Sequence, residues 1–130
     1  MLLKQILLFY CRDHLEAYCL ELKNLAVTII GRIEKVLKIR NNELIELFDD
    51  ECHQGMRMNY YPPCPQPEHV IGLKPHSDSG ALTILLQVNE VEGLQIRKDG
   101  MWIPIKPISD AFVINIVDML EVIHIKIRLA

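Results

Sequence analysis

The chain has 130 residues, a formal net charge of −3 and 50% hydrophobic residues. This length and composition predict one globular domain and exclude a disordered or fibrous chain. The sequence contains no stretch of clustered lysine and arginine, which argues against nucleic acid or an anionic membrane surface as the main partner.

The first ten residues, MLLKQILLFY, are apolar but are interrupted by Lys4 and Gln5. Because no small cleavage-site residues follow them, we expect no signal peptide, and no segment approaches membrane-spanning length.

Four cysteines lie at irregular spacings without a C-x-x-C pair: Cys11, Cys19, Cys52 and Cys64. We therefore expect reduced thiols and a cytoplasmic protein. An alternative is a zinc site that matches no finger or ribbon spacing, formed by Cys52, His53, Cys64 and His69.

The first predicted element is a long amphipathic helix over residues 13–40. Asp13 is expected to cap its start, with Glu16 reaching back from three residues later. An asparagine pair at 41 and 42 favours the helix end and offers a cap for a short second helix, Glu43–Asp49. The apolar residues of the first helix recur at steps of three and four and form one stripe: Leu15, Tyr18, Leu22, Leu25, Ile29, Ile33 and Val36.

After Gly55 the sequence predicts an all-β region. Four prolines between 62 and 67 oppose helix, and the rest consists of short apolar or alternating runs between turn residues. The Asp99-Gly100 pair predicts a type I′ hairpin turn. Strands at this spacing indicate a sandwich or barrel, so we expect an α+β, mainly β fold with helices packed against one face. The predicted strands are residues 56–61, 69–73, 81–87, 94–98, 101–105, 111–116 and 120–127.

The segment KPHSDSG, residues 74–80, precedes the apolar run ALTILLQ. In an extended segment, side chains two residues apart project to the same side, so His76 and Asp78 can converge on one point while Ser77 faces the other way. An imidazole and a carboxylate that await a second imidazole are typical of the facial triad of non-haem Fe(II) oxygenases. The alternative is an ordinary turn, in which Asp78 makes a local hydrogen bond and His76 is partly solvated.

The stretch MRMNYYPPCPQPEHVIGLKPHSDSGALTILLQVNEVEGLQIRKDGMWIPIKP resembles the plant 2-oxoglutarate- and Fe(II)-dependent dioxygenase family, particularly its SRG1-like group. That family has N-Y-Y-P, the H-x-D pair and the G-L-Q-I-x-x-D-G-x-W hairpin in this order and at similar separations. The stretch LEAYCLELKNLAVTIIGRIEKVLK is similar to the family's long helix. The resemblance, from about Arg12 to Glu121, implies a partial double-stranded β-helix (jelly roll) in residues 56–130, backed by helices in residues 1–55.

By this resemblance, His76 and Asp78 are two of the three iron ligands, and Asn59 and Tyr61 help to hold 2-oxoglutarate. An amide and a phenol suit a dicarboxylate because they add no charge. Judged without the family, Tyr60 and Tyr61 can equally be strand aromatics that pack in a core. The resemblance implies Fe(II) as cofactor, 2-oxoglutarate as co-substrate and ascorbate as reductant. The implied partner is a small organic metabolite that undergoes hydroxylation, desaturation or demethylation.

The sequence departs from the family pattern at NIVDMLEV, where Val117 replaces a glycine. The family's second metal histidine and its Arg-x-Ser carboxylate clamp are not found in the residues that follow. His124 lies several residues before the position at which the family has its third metal ligand. To replace that ligand, it would have to lie on a strand face turned toward His76 and Asp78. Its alternation with isoleucines at 123, 125 and 127 fits a half-exposed strand instead. We therefore expect a truncated form with weakened iron binding and impaired catalysis.

Two other classes of function stay open. In the first, the chain is a non-catalytic metal or small-acid binding module, with His76, Asp78 and His124 around a divalent ion. In the second, it is a partner-binding remnant whose long helix pairs with a full-length relative. The prime substrate and the oligomeric state are left open, because a fold does not fix its ligands.

Overall fold

The computed structural model describes residues 2–40, 43–49, 54–120 and 122. The chain divides into two compact units, residues 1–76 and 77–130. This division follows spatial contacts, so the predicted boundary between residues 55 and 56 stays a prediction. The elements in chain order are α1 (Leu2–Leu37), α2 (Glu43–Asp49), a 3₁₀ turn (Pro67–His69), β1 (Leu82–Leu86), β2 (Gln95–Lys98), β3 (Met101–Pro104) and β4 (Phe112–Ile116).

Helix α1 begins earlier than predicted and spans 36 residues. The start at Asp13 is wrong, because the preceding run LLKQILLFYC contains helix-compatible residues and neither proline nor glycine. Asp13 therefore lies inside the helix and not at its cap. Glu16 pairs with Arg12, whose Nε donates to Glu16 Oε1 at 2.7 Å. That hydrogen bond, together with the attraction between the two charges, raises the pKa of Arg12.

Helix α1 ends at Leu37, before the predicted end near Arg40. The amide of Ile39 donates to the carbonyl oxygen of Glu34 at 3.0 Å. Lys38 has φ 56°, in the left-handed region. Together these features form a Schellman motif, which satisfies carbonyl groups in the last turn of the helix. The end of the helix was predicted from the asparagine pair at 41 and 42, which lies outside the described residues.

Helix α2 covers Glu43–Asp49, and this prediction is confirmed. A cap for it comes from α1: Glu34 Oε1 accepts hydrogen bonds from the amides of Leu44 at 2.7 Å and Ile45 at 3.3 Å. The exposed fraction is 2% for Glu34 and 1% for Leu44. A buried carboxylate on α1 therefore caps the N-terminus of α2 within the first unit.

The predicted strands at residues 56–61 and 69–73 are wrong, since the described part of the first unit contains no strand. Neither segment has a partner strand among the described residues of this unit, and an alternating pattern alone does not form a ladder. Pro67–His69 forms a 3₁₀ turn instead, which occupies the start of the second predicted strand.

The second unit contains the four strands, in two antiparallel pairs. In the pair β1 and β4, Leu82 lies opposite Ile116. The pair β2 and β3 is a hairpin that turns at Asp99 (φ 51°) and Gly100 (φ 81°). These positive φ angles confirm the predicted type I′ turn. The strands at residues 81–87, 94–98, 101–105 and 111–116 are confirmed apart from one residue at some ends.

Within the described residues the two strand pairs form separate two-stranded sheets. This arrangement is compatible with part of a jelly roll but does not establish a sandwich or barrel. The prediction of a mainly β chain is wrong for the described residues, because α1 alone, at 36 residues, is longer than the four strands together. The apolar stripe predicted too short a helix, because α1 extends back to Leu2.

A helical turn follows β4, so the start of the strand predicted at residues 120–127 is wrong. The amide of Leu120 donates to the carbonyl oxygen of Val117 at 3.0 Å. Both side chains are buried, with exposed fractions of 3% for Leu120 and 7% for Val117. Burial at a spacing of three residues favours a helical turn over a strand. Residues 121 and 123–127 lie outside the described part of the chain.

Three of the four cysteines, Cys11, Cys19 and Cys64, are described and are free thiols. Cys52 lies outside the described residues. Among the described helices, none combines the length and the apolar character needed to cross a membrane.

Candidate metal centre

His76 is the last residue of the first unit and lies in an exposed segment without regular secondary structure. Its Nδ1 is 2.8 Å from the carbonyl oxygen of Lys74. Because a carbonyl oxygen can only accept, Nδ1 carries the proton, and in the neutral imidazole the lone pair lies on Nε2. A metal-binding histidine commonly donates its other ring nitrogen to a backbone carbonyl in this way. The hydrogen bond therefore selects the tautomer in which Nε2 can bind a metal ion.

Asp78 is half-buried and belongs to the second unit. Its Oδ2 accepts a hydrogen bond from the hydroxyl of Thr83 at 2.6 Å. Thr83 lies on β1, opposite Asn115 on β4. One oxygen of the carboxylate is thus held by a side chain of a paired strand.

The residue between the two predicted ligands, Ser77, is also held by a side chain. Its hydroxyl donates to Asp118 Oδ2 at 2.8 Å, and the amide of Asp118 lies 3.4 Å from the carbonyl oxygen of Asp78. The amide of Met119 donates to the carbonyl oxygen of Gly80 at 3.2 Å. These bonds join the loop before β1 to the turn after β4, next to the strand pairing.

Val117, which stands where the resemblance expects glycine, is buried at 7% exposure. A Cβ atom added to Gly80 would lie 3.9 Å from Val117 Cγ2, an ordinary van der Waals distance. Val117 therefore packs beside a residue that has no side chain, and the protein accommodates the larger residue here.

Asn59 and Tyr61 lie in an exposed segment, residues 54–64, that has no helix or strand. The ring of Tyr61 packs against Gly72, where an added Cβ would lie 3.0 Å from Cε1. The alternative in which Tyr60 and Tyr61 fill a core is wrong, since their exposed fractions are 82% and 56%. The predicted contact of Asn59 and Tyr61 with 2-oxoglutarate stays a prediction.

Among the described residues, no group of three or more His, Cys, Asp or Glu side chains is placed to hold a metal ion. His124 lies outside the described part of the chain, and so do Cys52 and His53 of the alternative zinc site. His76 and Asp78 belong to different units, so their convergence on one ion stays a prediction. In their chemistry, a neutral imidazole and a carboxylate fit a non-haem iron.

Thr83 and Asp118, which bond to Asp78 and Ser77, were not among the residues predicted for the site. Thr83 is a hydroxyl residue between Leu82 and Ile84 in an apolar run, and this break in the apolar pattern could have indicated that its hydroxyl has a partner. Asp118 bonds to a residue 41 positions earlier, which no local pattern indicates.

The chain matches the sequence model of the 2OG-Fe(II) oxygenase superfamily over residues 52–127, more than half of its length. The chain belongs to that superfamily, whose members use Fe(II) and 2-oxoglutarate and act on small molecules. This membership confirms the resemblance to the plant dioxygenases.

Several plant relatives share more than half of their aligned residues with this chain, and three of them are described here. Protein SRG1 of Arabidopsis thaliana is 58% identical over 113 residues, which cover 86% of this chain and 32% of SRG1. Oxoglutarate-dependent flavonoid 7-O-demethylase 1 of Ocimum basilicum is 56% identical over 112 residues, 86% of this chain and 30% of the relative. Thebaine 6-O-demethylase of Papaver somniferum is 52% identical over 114 residues, 85% of this chain and 31% of the relative. The chain therefore spans about a third of the length of these relatives.

Proposed function

We propose that this chain takes part in the Fe(II)- and 2-oxoglutarate-dependent oxidation of a small organic molecule, with His76 and Asp78 as two of the metal ligands. One observation carries this proposal: each of the two donor groups has a protein partner at one of its polar atoms. Nδ1 of His76 is 2.8 Å from a carbonyl oxygen, and Oδ2 of Asp78 is 2.6 Å from a hydroxyl. Such outer partners are typical of residues that bind metal ions.

The iron ion, when bound with 2-oxoglutarate, would supply the chemistry in which O₂ is the oxidant: one oxygen atom converts 2-oxoglutarate into succinate and CO₂, and the other oxidises the substrate. His76 contributes a neutral nitrogen and Asp78 a negative oxygen, so the two ligands neutralise only part of the charge of a divalent ion. The remaining positive charge favours a dicarboxylate co-substrate. Asn59 and Tyr61 orient that co-substrate through an amide and a phenolic hydroxyl without adding charge.

Among the oxidations that this class carries out, we propose O-demethylation of a methoxylated metabolite for this chain. Two of the relatives described above are named as O-demethylases. A third relative with such a name, codeine O-demethylase of Papaver somniferum, is 53% identical to this chain over 112 residues. Oxidation of the methyl carbon releases formaldehyde and leaves a hydroxyl group on the substrate. Hydroxylation and desaturation are the other possible outcomes of the same chemistry.

The proposed function is tested by release of labelled CO₂ from 2-oxoglutarate in the presence of Fe(II) and ascorbate. We expect release above a metal-free control, loss of that release in His76→Ala and no loss in His69→Ala. His69 is a matched control, since it is also an exposed histidine and pairs with Glu68 at 3.7 Å. Equal release by His76→Ala and the unmodified chain would rule out the site. Metal binding that depends on His76 without any CO₂ release would favour the non-catalytic binding module.

A further inference from the structure

Thr83 is a hydroxyl residue within the apolar strand β1, whose sequence is LTILL. Its side chain is half-buried, and it lies opposite Asn115 in the pairing with β4. A β-branched residue on a paired strand has few rotamers and a fixed backbone. The hydroxyl of Thr83 is therefore a rigidly placed hydrogen-bond donor.

The partner of this donor is the carboxylate of Asp78. The distance of 2.6 Å between Thr83 Oγ1 and Asp78 Oδ2 lies in the range of hydrogen bonds between a hydroxyl and an ionised carboxylate. The last torsion of an aspartate side chain has broad, shallow minima, so an aspartate without such a bond rotates its two oxygens easily. The bond to Thr83 fixes Oδ2 and thereby sets the direction of Oδ1.

The backbone of Asp78 is held independently of its side chain. Asp118 accepts from the hydroxyl of Ser77 at 2.8 Å, and its amide is 3.4 Å from the carbonyl oxygen of Asp78. The carboxylate is therefore attached to β1 through Thr83, and the backbone is attached to the turn after β4 through Asp118. A ligand held at both points loses little conformational freedom when it binds a metal ion.

We propose that Thr83 is a positioning residue that orients the Asp78 carboxylate for metal binding. This inference rests on the proposed function, because it takes Asp78 to be a metal ligand. Thr83 acts through Asp78 and does not itself touch the metal ion. Loss of an outer partner of this kind typically costs about 10- to 100-fold in metal affinity.

The test is a calorimetric titration of the full chain with Co²⁺ alone, a redox-stable probe for the iron site. Thr83→Val removes the hydroxyl and keeps the shape, and we expect it to raise the Kd for Co²⁺ by about 10-fold or more. Thr83→Ser keeps the hydroxyl and should restore the affinity. Thr28→Val is the matched control, because Thr28 also donates its hydroxyl, to the carbonyl oxygen of Asn24 at 2.9 Å, on the exposed face of α1. If Thr83→Val does not fold, Thr83→Ala replaces it.

Four outcomes are possible. Weaker binding in Thr83→Val, with normal binding in Thr83→Ser and Thr28→Val, supports the proposal. An unchanged Kd in Thr83→Val overturns it but leaves the proposed function intact. Equal weakening in Thr83→Ser also overturns it, because the hydroxyl would then not be the cause. Absence of any Co²⁺ binding that depends on His76 overturns the proposed function and the role of Thr83 with it.

Discussion

The buried carboxylate of Glu34 connects the two helices of the first unit, and its removal is expected to destabilise that unit strongly. One oxygen of Glu34 accepts from two amides in the first turn of α2, at 2.7 Å from Leu44 and 3.3 Å from Ile45. With 2% exposure for Glu34 and 1% for Leu44, water cannot replace the carboxylate easily. Glu34→Ala would therefore leave the Leu44 amide without this acceptor.

The expected loss of unfolding free energy in Glu34→Ala follows from the two hydrogen bonds that Glu34 accepts. A hydrogen bond to a charged group contributes about 1.5–3 kcal/mol, and the longer bond contributes less because 3.3 Å is at the limit of good geometry. We expect Glu34→Ala to lower the free energy of unfolding by about 2–4 kcal/mol. Glu34→Gln keeps an acceptor oxygen without its charge and should lose about half as much, since charge-assisted hydrogen bonds are roughly twice as strong as neutral ones.

The assay is urea unfolding followed by far-ultraviolet circular dichroism, with comparison of midpoints at an unchanged m-value. Glu21→Ala is the matched control, because Glu21 is an exposed glutamate on the same helix. We expect its midpoint to equal that of the unmodified chain. If Glu34→Ala and Glu21→Ala unfold at the same urea concentration, the assignment of Glu34 as the cap of α2 is refuted.

Two further substitutions test the packing of Tyr61 and the end of α1. Gly72→Ala would place a Cβ atom 3.0 Å from Tyr61 Cε1, so the ring must move and the near-ultraviolet dichroism of tyrosine should change. Gly55→Ala, whose added Cβ has no neighbour within 4 Å, is the control, and identical spectra for both variants would contradict the packing. Lys38→Gly should raise the free energy of unfolding by about 0.5–1 kcal/mol, because Lys38 has φ 56° and glycine adopts this conformation without steric cost. A urea midpoint below that of the unmodified chain would show this account of the helix end to be incorrect.

Features encoded by neighbouring residues could be predicted from the sequence. The turn at Asp99 and Gly100 depends on the φ preferences of two adjacent residues. The bounds of α2 were also predicted, but its buried cap, Glu34, lies 10 positions before Leu44 and no local pattern indicates it. The start of α1 could not be placed, because Asp13 followed by Glu16 has the form of a capping box even inside a longer helix. The predicted strand at residues 56–61 failed because alternation alone does not supply a partner strand.

The candidate site shows the same difference between local and distant information. The spacing of His76 and Asp78 is a local feature, and it singled out the two residues without any structure. The contact of Thr83 with Asp78 depends on how the loop meets β1, and that of Asp118 with Ser77 joins residues 41 positions apart. Hydrogen-bond partners of this kind are determined by the fold, and the residue pattern of the sequence predicted that fold only in part.

The central claim is that His76 and Asp78 hold the same divalent ion. Anaerobic calorimetric titration with Fe²⁺ tests it most directly, with the unmodified chain, His76→Ala, Asp78→Ala and the control His69→Ala. We predict saturable binding of one ion, which is lost in both His76→Ala and Asp78→Ala and is retained in His69→Ala. Unchanged binding heats in His76→Ala or in Asp78→Ala would contradict the claim.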